Sequence, residues 1–245
     1  MVFGLFSKEK ALQKTIDRAT NKLAQQVDRW GALEKLQEDG SELALFGLCR
    51  RFGITSLKGV EDEQEKSWVV DVLVAKGAQS LPPIVKYMKS ADQLGFPLKV
   101  LERIADRDKI LAVIDELFAS EPPGYVRMVD RRIDLIRWFG EWKPATDDEL
   151  ISRVTPYLTD FDENVRFAAI DSLATRDPKK IAGPLLETLL RPEEESGRIK
   201  RAIIEVLAKA KVPLGDKADG VAGVLTGPLG EDFKLAGGHV VPKKR

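Results

Sequence analysis

Between about residues 8 and 211 the apolar residues recur every three or four positions, the spacing that lines one face of a helix. Val165, Ala168/Ala169, Ser172 and Leu173 share such a face, and Ile199, Ala202/Ile203, Val206 and Leu207 repeat it. Ile110, Val113, Ile114 and Leu117 form another stripe, as do Val126, Val129, Ile133 and Ile136. No segment of this stretch has the period-two alternation of a half-buried strand. The breaks agree with this pattern. Thr146 and Glu149 have capping-box spacing, Asp177-Pro178 places a capping carboxylate before a first-turn proline, and Ser80 precedes Leu81-Pro82-Pro83. Glu121-Pro122-Pro123-Gly124 and Arg191-Pro192 are natural stops. The pattern predicts helices over 8–27, 28–38, 41–52, 61–76, 80–91, 94–105, 107–119, 124–140, 147–159, 162–175, 178–190 and 195–210. The fold class is all-α.

So many helices can form a closed bundle or a stack of hairpins, and internal repetition separates the two. Val165–Ala174 aligns with Ile199–Ala208 at an offset of 34, with apolar, basic (Arg166/Lys200) and acidic (Asp171/Glu205) positions coinciding. A wider pattern sets an acid, an apolar residue five later and a base directly after it. It reads Glu121/Val126/Arg127, Asp160/Val165/Arg166 and Glu194/Ile199/Lys200, with Gln93/Leu98/Lys99 as a weaker polar version. Successive bases are then 28, 39 and 34 residues apart, about one helical hairpin each.

At these residues the chain resembles HEAT repeats, including the short bacterial class similar to the PBS-lyase HEAT-like repeats, and Leu158–Ala174 carries the resemblance best. It covers 147–210 well and 80–140 less closely; before residue 80 it rests on helix pairing alone. Asp130 and Asp134 stand where the family has small or apolar residues. The resemblance implies an α-solenoid of about six HEAT-like hairpins over 1–211, a right-handed stack with a concave inner row. It also implies a side-chain ladder between adjacent hairpins, drawn from the turn acids Glu121, Asp160 and Glu194 and the base that opens the second helix, as Arg166 does.

Composition adds a boundary. Twelve of the 19 glycines lie in 1–211 and seven in 212–245, where Pro213 stops the last helix and the glycines deny regular helix beyond a turn at 216–225. Yet Val221, Val224, Leu225, Leu229, Phe233, Leu235, Val240 and Val241 are too apolar for a solvated linker. The expectation is an irregular tail folded over the hairpin at 178–210, with Phe233 and Leu235 inserted and Lys243-Lys244-Arg245 in solvent; the alternative is a partner-binding peptide. At the other end, Val2, Phe3, Leu5 and Phe6 precede a lysine-bearing helix start. They either complete the first hairpin's core or make a weak membrane-surface contact.

The 39 basic and 39 acidic residues balance, and hydrophobic residues at 43% suffice for a sizeable core. One cysteine, Cys49, excludes a disulfide scaffold and a multi-cysteine metal site; one histidine, His239, leaves little for a His-based triad. Cys49 reads as a buried small hydrophobe and His239 as a solvent-exposed loop residue. No run reaches the ~18–20 apolar residues of a membrane helix, so the expected location is cytoplasmic.

No GxGxxG, Walker loop, HExxH or GxSxG motif occurs, so neither a catalytic residue nor a cofactor or metal site is expected. Asp130 and Asp134 share a helix face among Arg127, Arg131, Arg132 and Arg137, which reads as an ion-pair lattice. The candidate partner-binding residues are Arg127, Arg131, Arg166 and Lys200, a prospective basic row, with Trp138 and Trp142; in the cluster Trp138, Phe139 and Trp142 the aromatics either pack between repeats or leave one as an exposed interface anchor. The expected function is a non-catalytic scaffold for another protein or peptide. The alternatives are a binder of an anionic ligand, nucleic acid or an acidic tail, through the basic row, and a HEAT-like lyase- or glycosylase-type enzyme or enzyme subunit. Overall neutrality argues against strong phosphate binding.

Overall fold

The structure, a computed structural model, describes the backbone of residues 2–243 and the side chains of residues 8–243. The readings of Val2, Phe3, Leu5 and Phe6 as core or membrane contact, and of Lys244 and Arg245 as solvated, therefore lie outside the described side chains. The apolar periodicity becomes helix along most of the chain, which packs as two compact units, Met1–Ser120 and Glu121–Arg245.

The first unit contains α1 (Val2–Ala19), α2 (Gln26–Asp39), α3 (Glu42–Arg50), α4 (Gly59–Lys76), α5 (Leu81–Met88), α6 (Gly95–Ile104) and α7 (Arg107–Ser120). Single 3₁₀ turns at Arg51–Gly53 and Gly77–Ser80 follow α3 and α4. Helices α1, α2 and α3 pack on one another, α3 on α5, and α4 on α6. Leu33, Leu36, Leu48, Leu73, Ile84 and Leu98 are inaccessible at the centre. Cys49 is buried among them, and burial pushes its thiol up, away from the reactive thiolate. Two expected boundaries move. Helix α1 ends at Ala19 rather than near 27, because Asn21 Oδ1 accepts the Leu23 N–H (3.0 Å) in a side-chain turn that competes with helix. Ser80 does not cap α5; its hydroxyl donates to the Leu73 carbonyl (2.7 Å) and ties the end of α4 to the next helix.

The second unit contains α8 (Asp130–Glu141), α9 (Asp147–Val154), a 3₁₀ turn at Thr155–Thr159, α10 (Glu163–Leu173), α11 (Pro178–Leu190) and α12 (Gly197–Ala210). Thr146 and Glu149 close the capping box on α9, and the Asp177 carboxylate accepts the Lys179 N–H at the start of α11. The helix expected from 124 starts only at Asp130. Residues 121–129 run as a loop because both backbone groups of Gly124 are held elsewhere, as described below. Helices α8 and α10 approach closely where Gly140 meets Ser172: a Cβ on Gly140 would lie 2.6 Å from the Ser172 Cβ, while the Ser172 hydroxyl donates to the Ile136 carbonyl (3.1 Å). A bulkier residue must push these helices apart. Gly140→Val is expected to cost about 1–3 kcal/mol, read as a lower denaturant midpoint.

The expectation of an irregular tail is corrected. After α12 come α13 (Ala218–Val224), α14 (Gly227–Asp232) and an antiparallel hairpin, β1 (Phe233–Ala236) and β2 (His239–Pro242). Its tight turn is Gly237-Gly238, with φ of +59° and +77°, the left-handed pair that a two-residue hairpin loop requires. Strand β2 lies against α12, the Leu214 N–H donates to the Gly238 carbonyl (3.0 Å), and Arg201 pairs with Asp232 (2.9 Å). Phe233 and Val240 are buried, but Leu235 is only half-buried. His239 is half-buried on β2, not exposed in a loop.

Candidate functional site

The turn before α10 is built around Asp160, a buried carboxylate. Its Oδ2 accepts from Arg132 Nη1 (2.7 Å) and from the Gly124 N–H (3.2 Å), and its Oδ1 accepts from the Asp162 N–H (2.9 Å). Arg132 comes from the first turn of α8, is almost wholly buried, and also donates to the Gly124 carbonyl (2.9 Å). Arg166, at the start of α10, donates to the Asp160 and Phe161 carbonyls (3.0 and 3.1 Å). One carboxylate and two guanidiniums thus fix the backbone at both 124 and 160–162.

What this frame holds outward is apolar. Tyr125 and Phe161 are 76% and 70% exposed, and their rings meet edge to face at 5.3 Å. Met128, in the same loop, is 61% exposed. Beneath them the Tyr157 hydroxyl donates to the Glu121 carbonyl (2.7 Å), and burial pushes its phenol up to about 12.

The motif recurs one hairpin on. Glu194 is buried, its Oε1 accepts the Ser196 N–H (3.0 Å), and it binds Arg166 (Nε–Oε2 2.8 Å). In both cases the acid follows its arginine by 28 residues and precedes the helix N-cap by two. Arg132, Arg166 and Lys200 are spaced by 34, as are Asp160 and Glu194. The position taken for Arg127 in the sequence pattern therefore belongs to Arg132. The series stops there, because Pro228 stands 28 residues after Lys200.

Each candidate residue now has a place. Arg127 is exposed in the loop, and Arg131 is buried on α8 and paired with Glu121 (2.8 Å). Arg166 is half-buried on Glu194, and Lys200 is half-buried on α12. The structure joins Arg131 to Glu121, Arg132 to Asp160 and Arg166 to Glu194. Trp142 is buried and Trp138 half-buried, their rings stacked at 5.6 Å, so Trp138 is the outer of the pair. Tyr125, Met128 and Phe161 were not singled out by sequence reasoning. The signal for their setting was the 34-residue step of Arg132, Arg166 and Lys200, masked by the nearby Arg127.

The first unit holds a second buried charge network that sequence reasoning missed. Glu65 lies between Arg29 (Nη2–Oε1 2.8 Å) and Arg51 (Nε–Oε2 2.7 Å), all three buried. Asp62 accepts from Arg51 (2.7 Å), Lys66 (2.7 Å) and the Ser56 N–H (2.8 Å). Arg51 donates from its remaining nitrogen, Nη1, to the Ile54 carbonyl, and Arg29 donates to the Ala24 carbonyl. Above these bonds Leu23, Val27, Leu57 and Val60 are exposed in the turns that enter α2 and α4. Burial alone would raise the Asp62 carboxyl, but the hydrogen bonds from Lys66, Arg51 and Ser56 outweigh it and lower it to about 2. A lowered folded-state value stabilises the fold above the unfolded value of 3.8, and that stabilisation disappears as the pH falls through about 2. Acid unfolding of Asp62→Asn is accordingly expected to be less steep over this window than that of the parent, a difference read by circular dichroism against pH.

Among the described residues no group of three or more His, Cys, Asp and Glu side chains is arranged to hold a metal ion, and no helix is long and apolar enough to cross a membrane. Comparison with protein-family models, with curated proteins and with solved structures returns no match to this chain.

Proposed function

We propose that the chain is a HEAT-like helical-repeat protein, its hairpins stacked as an α-solenoid, and that it serves as a non-catalytic scaffold for a protein or peptide partner. The observation that carries the reading is the exposed Tyr125–Phe161 pair, fixed by the buried Arg132–Asp160 bridge. Rigid exposed aromatics are effective binding anchors because little conformational freedom is lost when they are covered. The stacking is supported by side-chain links that join residues 28 to 36 apart in the second unit: Arg132 to Asp160, Arg166 to Glu194, Ser172 to Ile136, and Arg176 to Gly140. Binding of an anionic ligand through a basic row is less well supported, since Arg131, Arg132 and Arg166 already face carboxylates.

The test compares affinity capture from the native cell by the parent chain and by Tyr125→Ser/Phe161→Ser. Both side chains are exposed, so the variant is expected to melt like the parent. Proteins retained by the parent are expected to be lost from the variant. Identical retained sets would overturn the assignment of this surface, and the absence of any retained protein would overturn the scaffold reading.

A further inference from the structure

The 34-residue recurrence brings a different pair of residues to each interhelical gap of the second unit. Between α8 and α10 the pair is Gly140 and Ser172, in contact, with the Ser172 hydroxyl donating to the Ile136 carbonyl of α8. Moving on by 34 gives Ala174 and Val206, between α10 and α12. These are larger and lack the hydroxyl, and here the gap remains open as a groove of about 430 Å³. Its floor is apolar, formed by Phe167, Ile170, Ala174, Ile181, Ala202 and Val206. Phe167 to Ala174 and Ala202 to Ala210 each run about 10–12 Å along their helices, two turns, the length over which a helix presents its i, i+4 and i+7 side chains to a groove.

Asp171 and Glu205 line the same groove, equivalent positions one hairpin apart and both exposed. Asp171 makes no ion pair among the described residues, and Glu205 has only a 3.8 Å contact with Arg201. Three cations lie nearby: Arg201, whose closer partner is Asp232 (2.9 Å), Lys209 on the groove wall, and Arg198, stacked on Phe167 at 4.1 Å with its charge facing Glu163 (3.3 Å). Two carboxylates on neighbouring helices, beside an apolar floor, suit cations on either side of an apolar stripe.

We propose that the α10–α12 groove binds an amphipathic helix that carries leucine-like side chains flanked by lysine or arginine. This inference rests on the scaffold reading and names the chemistry of one partner segment. The probe is a synthetic Leu/Lys amphipathic helix of about 15 residues, set against its Leu/Glu counterpart and titrated into the full chain by fluorescence anisotropy. The Leu/Lys peptide is expected to bind, and the Leu/Glu peptide to bind at least about tenfold more weakly. Asp171→Lys/Glu205→Lys is expected to invert that preference. Ala174→Phe, at an exposed position, is expected to fill the groove and weaken binding without lowering the melting temperature. Equal binding of the two peptides, no binding of either, or indifference to both variants would overturn the proposal. Dimerisation in sedimentation that Ala174→Phe abolishes would assign the groove to a second copy instead, and so overturn it too. Failure here with intact capture through Tyr125 and Phe161 removes the groove alone; failure of both removes the scaffold reading.

Discussion

Replacing Glu65 with alanine is expected to destabilise the first unit by about 3–5 kcal/mol. The reason is the asymmetry of buried charge. Glu65 accepts from both Arg29 and Arg51, which are 2% and 0% exposed. Its removal leaves two guanidiniums away from water, one retaining Asp62 and the other only the partly exposed Glu61 at 3.5 Å. Glu65→Gln keeps the shape and one acceptor oxygen and is expected to lose less. Urea unfolding followed by circular dichroism measures both, and a Glu65→Ala midpoint equal to that of the parent would show that the network contributes nothing net.

The second large effect is expected at Asp160. Asp160→Ala strips the carboxylate from Arg132 and frees the Gly124 and Asp162 amides together, a loss of about 3–5 kcal/mol. A structural consequence follows as well. Since that carboxylate positions both 124 and 160–162, protease cleavage is expected to rise at Tyr125 and Phe161 before the unit unfolds. The double variant Arg132→Ala/Asp160→Ala is expected to lose less than the sum of the single losses, because it leaves no unpaired charge. Strict additivity would mean that the two residues act separately.

The helical architecture was legible because it depends on periodicity, a property of neighbouring residues. Capping at Thr146 and Asp177 was legible for the same reason: the bonds span only two or three positions. The start of α8 was not, since residues 124–129 carry a helical apolar pattern and leave the helix only because Gly124 is bound to side chains 8 and 36 residues away. The terminal hairpin was missed by weighing glycine as a helix breaker, whereas Gly237-Gly238 between alternating residues is itself a turn signal. Among the candidate site residues, Glu121, Asp160, Glu194 and Arg166 were visible in a recurring pattern of charges and Arg131 as a base beside it, but the partner of each acid was not. Arg127 and Arg132 are both basic, near the same helix start, and only the packing separates the exposed one from the buried one. The network of Arg29, Arg51, Asp62 and Glu65 had no regular spacing to reveal it.

In every one of these principal bridges the arginine lies upstream of its acid: Arg29 and Arg51 before Asp62 and Glu65, Arg132 before Asp160, Arg166 before Glu194. For these carboxylates a chain made from its N-terminus presents an arginine first, whereas Lys66 follows Asp62 and Arg131 follows Glu121. Asp160 and Glu194 also accept the amide two residues ahead, at the next helix's N-cap, so the bridge that closes one hairpin starts the helix that follows.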